Sequence, residues 1–116
     1  MQFQFNTDNS IEADQQMADS AESVVTNDLS HFGDRVTRIE VHVTDENSGS
    51  KAGANDKKCV IEARLAGLEP RSASHNASTV QEAVAGASGK IRRQLESVVG
   101  KLKNKHHDKL TATEES

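Results

Sequence analysis

The stretch Thr79–Lys103, TVQEAVAGASGKIRRQLESVVGKLK, decides the fold. Its apolar residues Val80, Val84, Ala87, Ile91, Leu95, Val98 and Leu102 recur at steps of three or four, which is one face of a helix. Thr79 stands three residues before Glu82. That is the spacing of a capping box, in which each side chain satisfies a main-chain N–H of the first turn. An apolar stripe must lie on something. The other side of the helix carries Lys90, Arg92, Arg93, Lys101 and Lys103, so one face belongs to a core and the other presents cations.

Two alternating segments supply the surface beneath. From Val36 to Thr44, Ile39, Val41 and Val43 face one way while Arg38, Glu40, His42 and Thr44 face the other. From Lys58 to Leu65, Cys59, Ile61, Ala63 and Leu65 take the inward positions. Between them, Asp45–Lys57 is rich in Gly, Ser, Asn and Asp and reads as a long hairpin loop. Arg71–Ala77, small and polar, reads as an edge strand.

At the start of the chain, Met1, Phe3 and Phe5 alternate with Gln2, Gln4 and Asn6, a strand with one buried face. Asp14 reads as the N-cap of a helix to about Leu29. Its stripe is Met17, Ala21, Val24, Val25 and Leu29, with Asp19, Glu22 and Asp28 among its exposed positions. Phe32 closes that end and Gly33 stops it.

The order is therefore β-α-β-β-β-α, an α+β fold with a four-stranded mixed sheet. The first two strands, joined through a helix, are expected to be parallel, and the rest are hairpins. Three of the strands have one apolar face and each helix one stripe, so both helices must pack on one face of the sheet. Residues 1–103 form a single domain, and 104–116 form a polar tail expected to be disordered.

Composition narrows the function. A chain of 116 residues, 34% hydrophobic with three Phe and no Trp or Tyr, builds a modest aliphatic core. One cysteine, Cys59, excludes an internal disulfide and any C-x-x-C motif. Met1 opens directly onto the alternating run, unlike a secretory leader, and no apolar run is long enough to cross a membrane. A cytoplasmic protein is expected.

The net charge of −4 conceals a polarity. Residues 1–34 hold seven acids and no Lys or Arg. Residues 90–109 hold seven bases against two acids, a local excess of five positive charges able to meet a polyanion. A helix dipole favours cations only in the last turn, and Lys90 and Arg93 lie well before it.

Other constellations carry little. Gly86-Ala-Ser-Gly89-Lys90 lacks the Walker spacing and has Ile91 where Ser or Thr would stand. A G-x-x-G loop is excluded by the apolar phase running unbroken through it, so both glycines read as small surface positions on a helix. The five histidines show no ligand spacing with Cys59, and His106-His107 reads as a solvated tail. Nothing reads as an active site, so the expectation is a non-enzyme without cofactor or metal. With few aromatic residues to stack bases, RNA would be read by shape and phosphate.

Several segments resemble the ribosome hibernation-promoting factor family, also called the ribosome-associated inhibitor or sigma-54 modulation protein family. The opening MQFQF, with Ile11-Glu12-Ala13-Asp14 leading into the first helix, is similar to the family's start. Asp34–Val41, DRVTRIEV, resembles its second strand. Ala73-Ser74 to Thr79 occupies the place of its A-S-A-E-G-x-D segment. Lys90–Leu95, KIRRQL, resembles its K-L-x-R-Q-L motif, and Lys101-Leu102-Lys103 its late K-L-K.

The resemblance covers about residues 1–103 and implies a short-form factor that binds small-subunit ribosomal RNA near the decoding site and keeps translation idle. On this reading Lys90, Arg92, Arg93, Lys101 and Lys103 contact RNA phosphates, the partner is ribosomal RNA rather than DNA or a membrane, and the chain is a monomer. The family usually carries bases on the first helix, where this chain is acidic, and Lys or His near Ser97 and Val99; RNA contact is thus expected on the last helix alone. The alternative is a protein-interaction module that uses the acidic first helix and does not bind ribosomes.

Overall fold

The computed structural model describes residues 1–8, 11, 14–45 and 56–115, with side chains up to Lys101. It holds β1 (Gln2–Thr7), α1 (Gln15–Leu29), a 3-10 turn (Ser30–Arg35), β2 (Val36–Asp45), β3 (Lys57–Leu65), β4 (Arg71–Ala77) and α2 (Val80–Glu115). The sheet order is β1-β2-β3-β4, with β1 parallel to β2 and the other pairs antiparallel. This is the β-α-β-β-β-α, α+β arrangement read from the sequence. The expected hairpin loop falls on residues 46–55, outside the described residues, as do residues 9, 10, 12 and 13.

Both helices cover the same sheet face. α2 packs on β3 and β4; α1 lies beside α2 and over β1. The inward residues Ile39, Val41, Val43, Cys59, Ile61, Ala63 and Leu65 are buried and join Val25, Leu29, Val84, Ala87, Ile91 and Leu95 in one core. The two helices run parallel. Met17 and Val24 of α1 lie beside Val80 and Val84, Asp28 beside Ser88, and the following Phe32 beside Val99.

Local chemistry sets the element ends. The Asp14 carboxylate accepts from Met17 N–H at 2.8 Å and caps α1. At α2, Thr79 Oγ1 accepts from Glu82 N–H at 3.1 Å. The reciprocal half of the expected box differs: Glu82 Oε1 accepts from the hydroxyls of Ser78 and Thr79 instead of a main-chain N–H. Gly33, at φ 57, turns the chain into β2.

Three details depart from simple periodicity. Val36 is buried out of phase with Ile39, because the β2–β3 register slips between Val36 and Arg38 and an added residue moves side chains to the other face. Met1 is 60% exposed, since β1 begins only at Gln2 and Met1 stands before the paired register. On α2, Val99 is buried while Val98 is only half-buried. Gln94 already reaches Ser72 near the start of β4, so beyond Leu95 the helix overruns the strand and turns its apolar contact to Phe32. The α2 backbone continues through Glu115, over residues that composition assigns to a tail.

Candidate nucleic-acid interface

Helical phase sorts the cations of α2 by flank. Lys90, Gln94 and Lys101 fall on the flank toward β4, Arg93 on the outward side, and Arg92 toward α1. Lys103 lies on the same helix, with its side chain outside the described residues.

Four of the cations differ in what holds them. Lys90 is exposed and its Nζ donates to the Ser74 carbonyl at 3.0 Å. Arg92 pairs with Glu96, one turn on, at 3.5 Å; Glu96 also lies 3.7 Å from His31 Nε2. Arg93 and Lys101 are exposed and make no hydrogen bond or ion pair with another described residue. The helix thus offers two free cations, one outward and one on the β4 flank, a third tethered by a single bond, and a fourth partly neutralised.

The β4 flank adjoins a shallow groove of about 430 Å³ lined by Lys58, Val60, Ser72, Ser74, Lys90 and Gln94. Lys58 reaches it from the open sheet face, a contribution that the linear spacing of α2 cannot reveal. That open face is polar. Arg38 donates to Gln4 Oε1 at 2.7 Å and to Gln2 Oε1 and Glu40 Oε2 at 3.3 Å. Arg38 stands opposite Arg64 and Glu40 opposite Glu62, so like charges face each other across the strands and opposite charges neighbour along them.

The glycines of the G-A-S-G segment have separate roles. A Cβ on Gly86 would run into the ring of His75 on β4, so Gly86 seats that ring against the helix. Gly89 faces open space. Between them, Ser88 is fully buried and donates to Asp28 Oδ2 of α1 at 2.6 Å. Asp28, expected on the exposed face of the first helix, is half-buried for this reason.

The only cysteine, Cys59, is fully buried in β3, and desolvation pushes its thiol up to about 12. Among the described residues no three His, Cys, Asp or Glu side chains come together as a metal site. No helix among them is long and apolar enough to cross a membrane.

Comparison with solved structures finds similar folds. The N-terminal domain of Thermus thermophilus Protein Y is 14% identical, with a TM-score of 0.65 over 82% of this chain and 94% of that one. A ribosomal subunit interface protein from Coxiella burnetii is 13% identical, with a TM-score of 0.67 over 86% of this chain and 99% of that one. Comparison with curated protein sequences finds no match. The family model described as sigma 54 modulation protein / S30EA ribosomal protein matches residues 5–103, and the chain belongs to that family.

Proposed function

We propose that the chain is a cytoplasmic, ribosome-associated translation inhibitor that binds small-subunit ribosomal RNA near the decoding site through the basic side of α2, as a monomer and without catalysis. The observation that carries this reading is the pair of free, exposed cations Arg93, on the outward side of α2, and Lys101, on the adjoining flank that also carries Lys90, in a chain of the S30EA ribosomal protein family. The similar fold of a ribosomal subunit interface protein supports it. Arg grips a phosphate through two N–H groups and Lys supplies a mobile point charge. Such contacts carry no base sequence, so the target is chosen by shape. Arg92 and Lys103 assist from the flank, Arg92 less so because Glu96 holds it.

The test replaces Lys90, Arg93 and Lys101 together with Gln. None is in the core, and Gln at position 90 can still donate to Ser74 as Gln94 does to Ser72. Ribosome co-sedimentation should be lost while the melting temperature holds. For the parent, about three phosphate contacts predict a roughly 20- to 40-fold loss of affinity from 50 to 200 mM salt. A triple variant that sediments with ribosomes as well as the parent would overturn the proposal.

A further inference from the structure

The two edges of the sheet are finished differently. At β4, Lys90 and Gln94 take up the outward carbonyls of Ser74 and Ser72. At β1, no described residue does the same. Asp8 N–H donates to the Val43 carbonyl at 3.2 Å, which fixes the alternation along the strand. Gln2, Gln4 and Asn6 turn their main-chain groups to β2; Phe3, Phe5 and Thr7 turn theirs outward. Among the described residues the edge also lacks the usual guards. Residues 1–7 contain no charged side chain and no Pro, and the β1–β2 register is unbroken by a bulge.

α1 stands over this edge and gives it a sign. Met17, Ala21, Val24 and Asp28 face α2. Helical phase therefore turns Gln15, Asp19, Glu22 and Thr26 to the flank above the free edge of β1. Asp19 and Glu22 are exposed, and neither pairs with a described cation. No Lys or Arg precedes Arg35 in the chain.

We propose that the outer edge of β1 is a strand-addition site for a basic, extended polypeptide segment with cations at alternate positions. The added strand hydrogen-bonds to the main chain of Phe3, Phe5 and Thr7. Every second side chain then lies on the helix side, where an aliphatic stem covers the half-buried Phe3 and Phe5 and its cationic head reaches Asp19 and Glu22. A second copy of this chain suits the site less, because pairing β1 with itself brings two acidic flanks together. The site is separate from the basic side of α2 and does not rest on ribosome binding.

The test uses the full chain and a fluorescein-labelled Lys-Val-Lys-Val-Lys-Val peptide, read by fluorescence anisotropy without ribosomes. The parent should bind it, and the Glu-for-Lys peptide about tenfold or more weakly. Methylating alternate main-chain nitrogens in one phase should abolish binding, and in the other phase leave it, because only one phase faces β1. Asp19→Asn with Glu22→Gln should weaken binding about fivefold or more. Thr7→Pro removes an outward N–H that the sheet does not use, and should weaken it similarly. Binding indifferent to both methylation phases would reduce the effect to charge attraction and overturn the proposal. So would failure of the parent to bind, or a parent dimer in sedimentation that Thr7→Pro dissociates, which would make the occupant a second copy.

Discussion

Lys90 Nζ lies 3.0 Å from the carbonyl oxygen of Ser74, and this bond ties the basic side of α2 to the edge of the sheet. Gln94 makes the same contact with Ser72 at 2.8 Å, one helical turn on and two strand residues back. The helix and strand run antiparallel, and a turn of helix nearly matches two residues of strand. Two carbonyls that would otherwise template another strand are thereby closed. Lys90→Ala with Gln94→Ala should open this edge. Analytical ultracentrifugation should show a monomeric parent and concentration-dependent association of the double variant. A variant that stays monomeric at high concentration would show that the edge needs no cover.

Gly86 and Gly89 sit three residues apart on one helix and should respond to alanine with opposite sign. Gly89 faces open space, so Gly89→Ala should stabilise by about 0.5–1 kcal/mol through helix propensity. At Gly86 the new methyl meets the His75 ring, so Gly86→Ala should destabilise despite the same propensity gain. Adding His75→Ala should restore most of the loss. Urea unfolding of the four variants checks this, and equal effects at both glycines would refute the packing.

Ser88 and Asp28 form the polar tie between the helices. The bond is short, 2.6 Å, and charge-assisted, and the serine is fully buried. Ser88→Ala leaves a half-buried carboxylate without its donor and should cost about 1–3 kcal/mol. If Asp28→Ala is already present, the further cost of Ser88→Ala should shrink toward zero. Additive losses in that double-mutant cycle would show that the two side chains act independently.

Ile91 is fully exposed to the core and not at all to solvent. Ile91→Ala should cost about 2–5 kcal/mol. For a domain of this size that is a fall in Tm of about 8–20 °C, taking about 4 °C per kcal/mol. An unchanged melting curve would mean the stripe is not the core.

Much of the fold was legible because it rests on local periodicity. Strict alternation placed Ile39, Val41, Cys59 and Ile61 inward, and the three-four spacing placed Val84, Ala87, Ile91 and Leu95 beneath α2. What escaped was set by tertiary geometry. The bulge that buries Val36 leaves no mark on a residue count, and Val99 replaces Val98 only because the sheet ends before the helix does. Asp28 looked like a solvated acid until α2 brought Ser88 to it, over a separation of 60 residues. The cations of α2 could be named from spacing, but not which were engaged. Arg92 is held by Glu96 at a helical step visible in sequence, whereas the partner of Lys90 is a carbonyl on another element.

The final prediction concerns Cys59. It is fully buried between Val60 and Lys58 in β3, and burial raises its thiol from 9.0 to about 12. The native state therefore keeps its proton to higher pH than the unfolded chain does. Below pH 9 both states carry it, and the group adds no pH dependence. Between pH 9 and 12 the unfolded chain loses the proton while the native state retains it, so stability should fall as pH rises through this window. Cys59→Ala should flatten that decline, at the cost of a small cavity. At neutral pH the native thiol should react with iodoacetamide much more slowly than in urea, because reaction needs the thiolate and access. Equal alkylation rates with and without urea would show that β3 opens freely and that Cys59 is not part of a stable core.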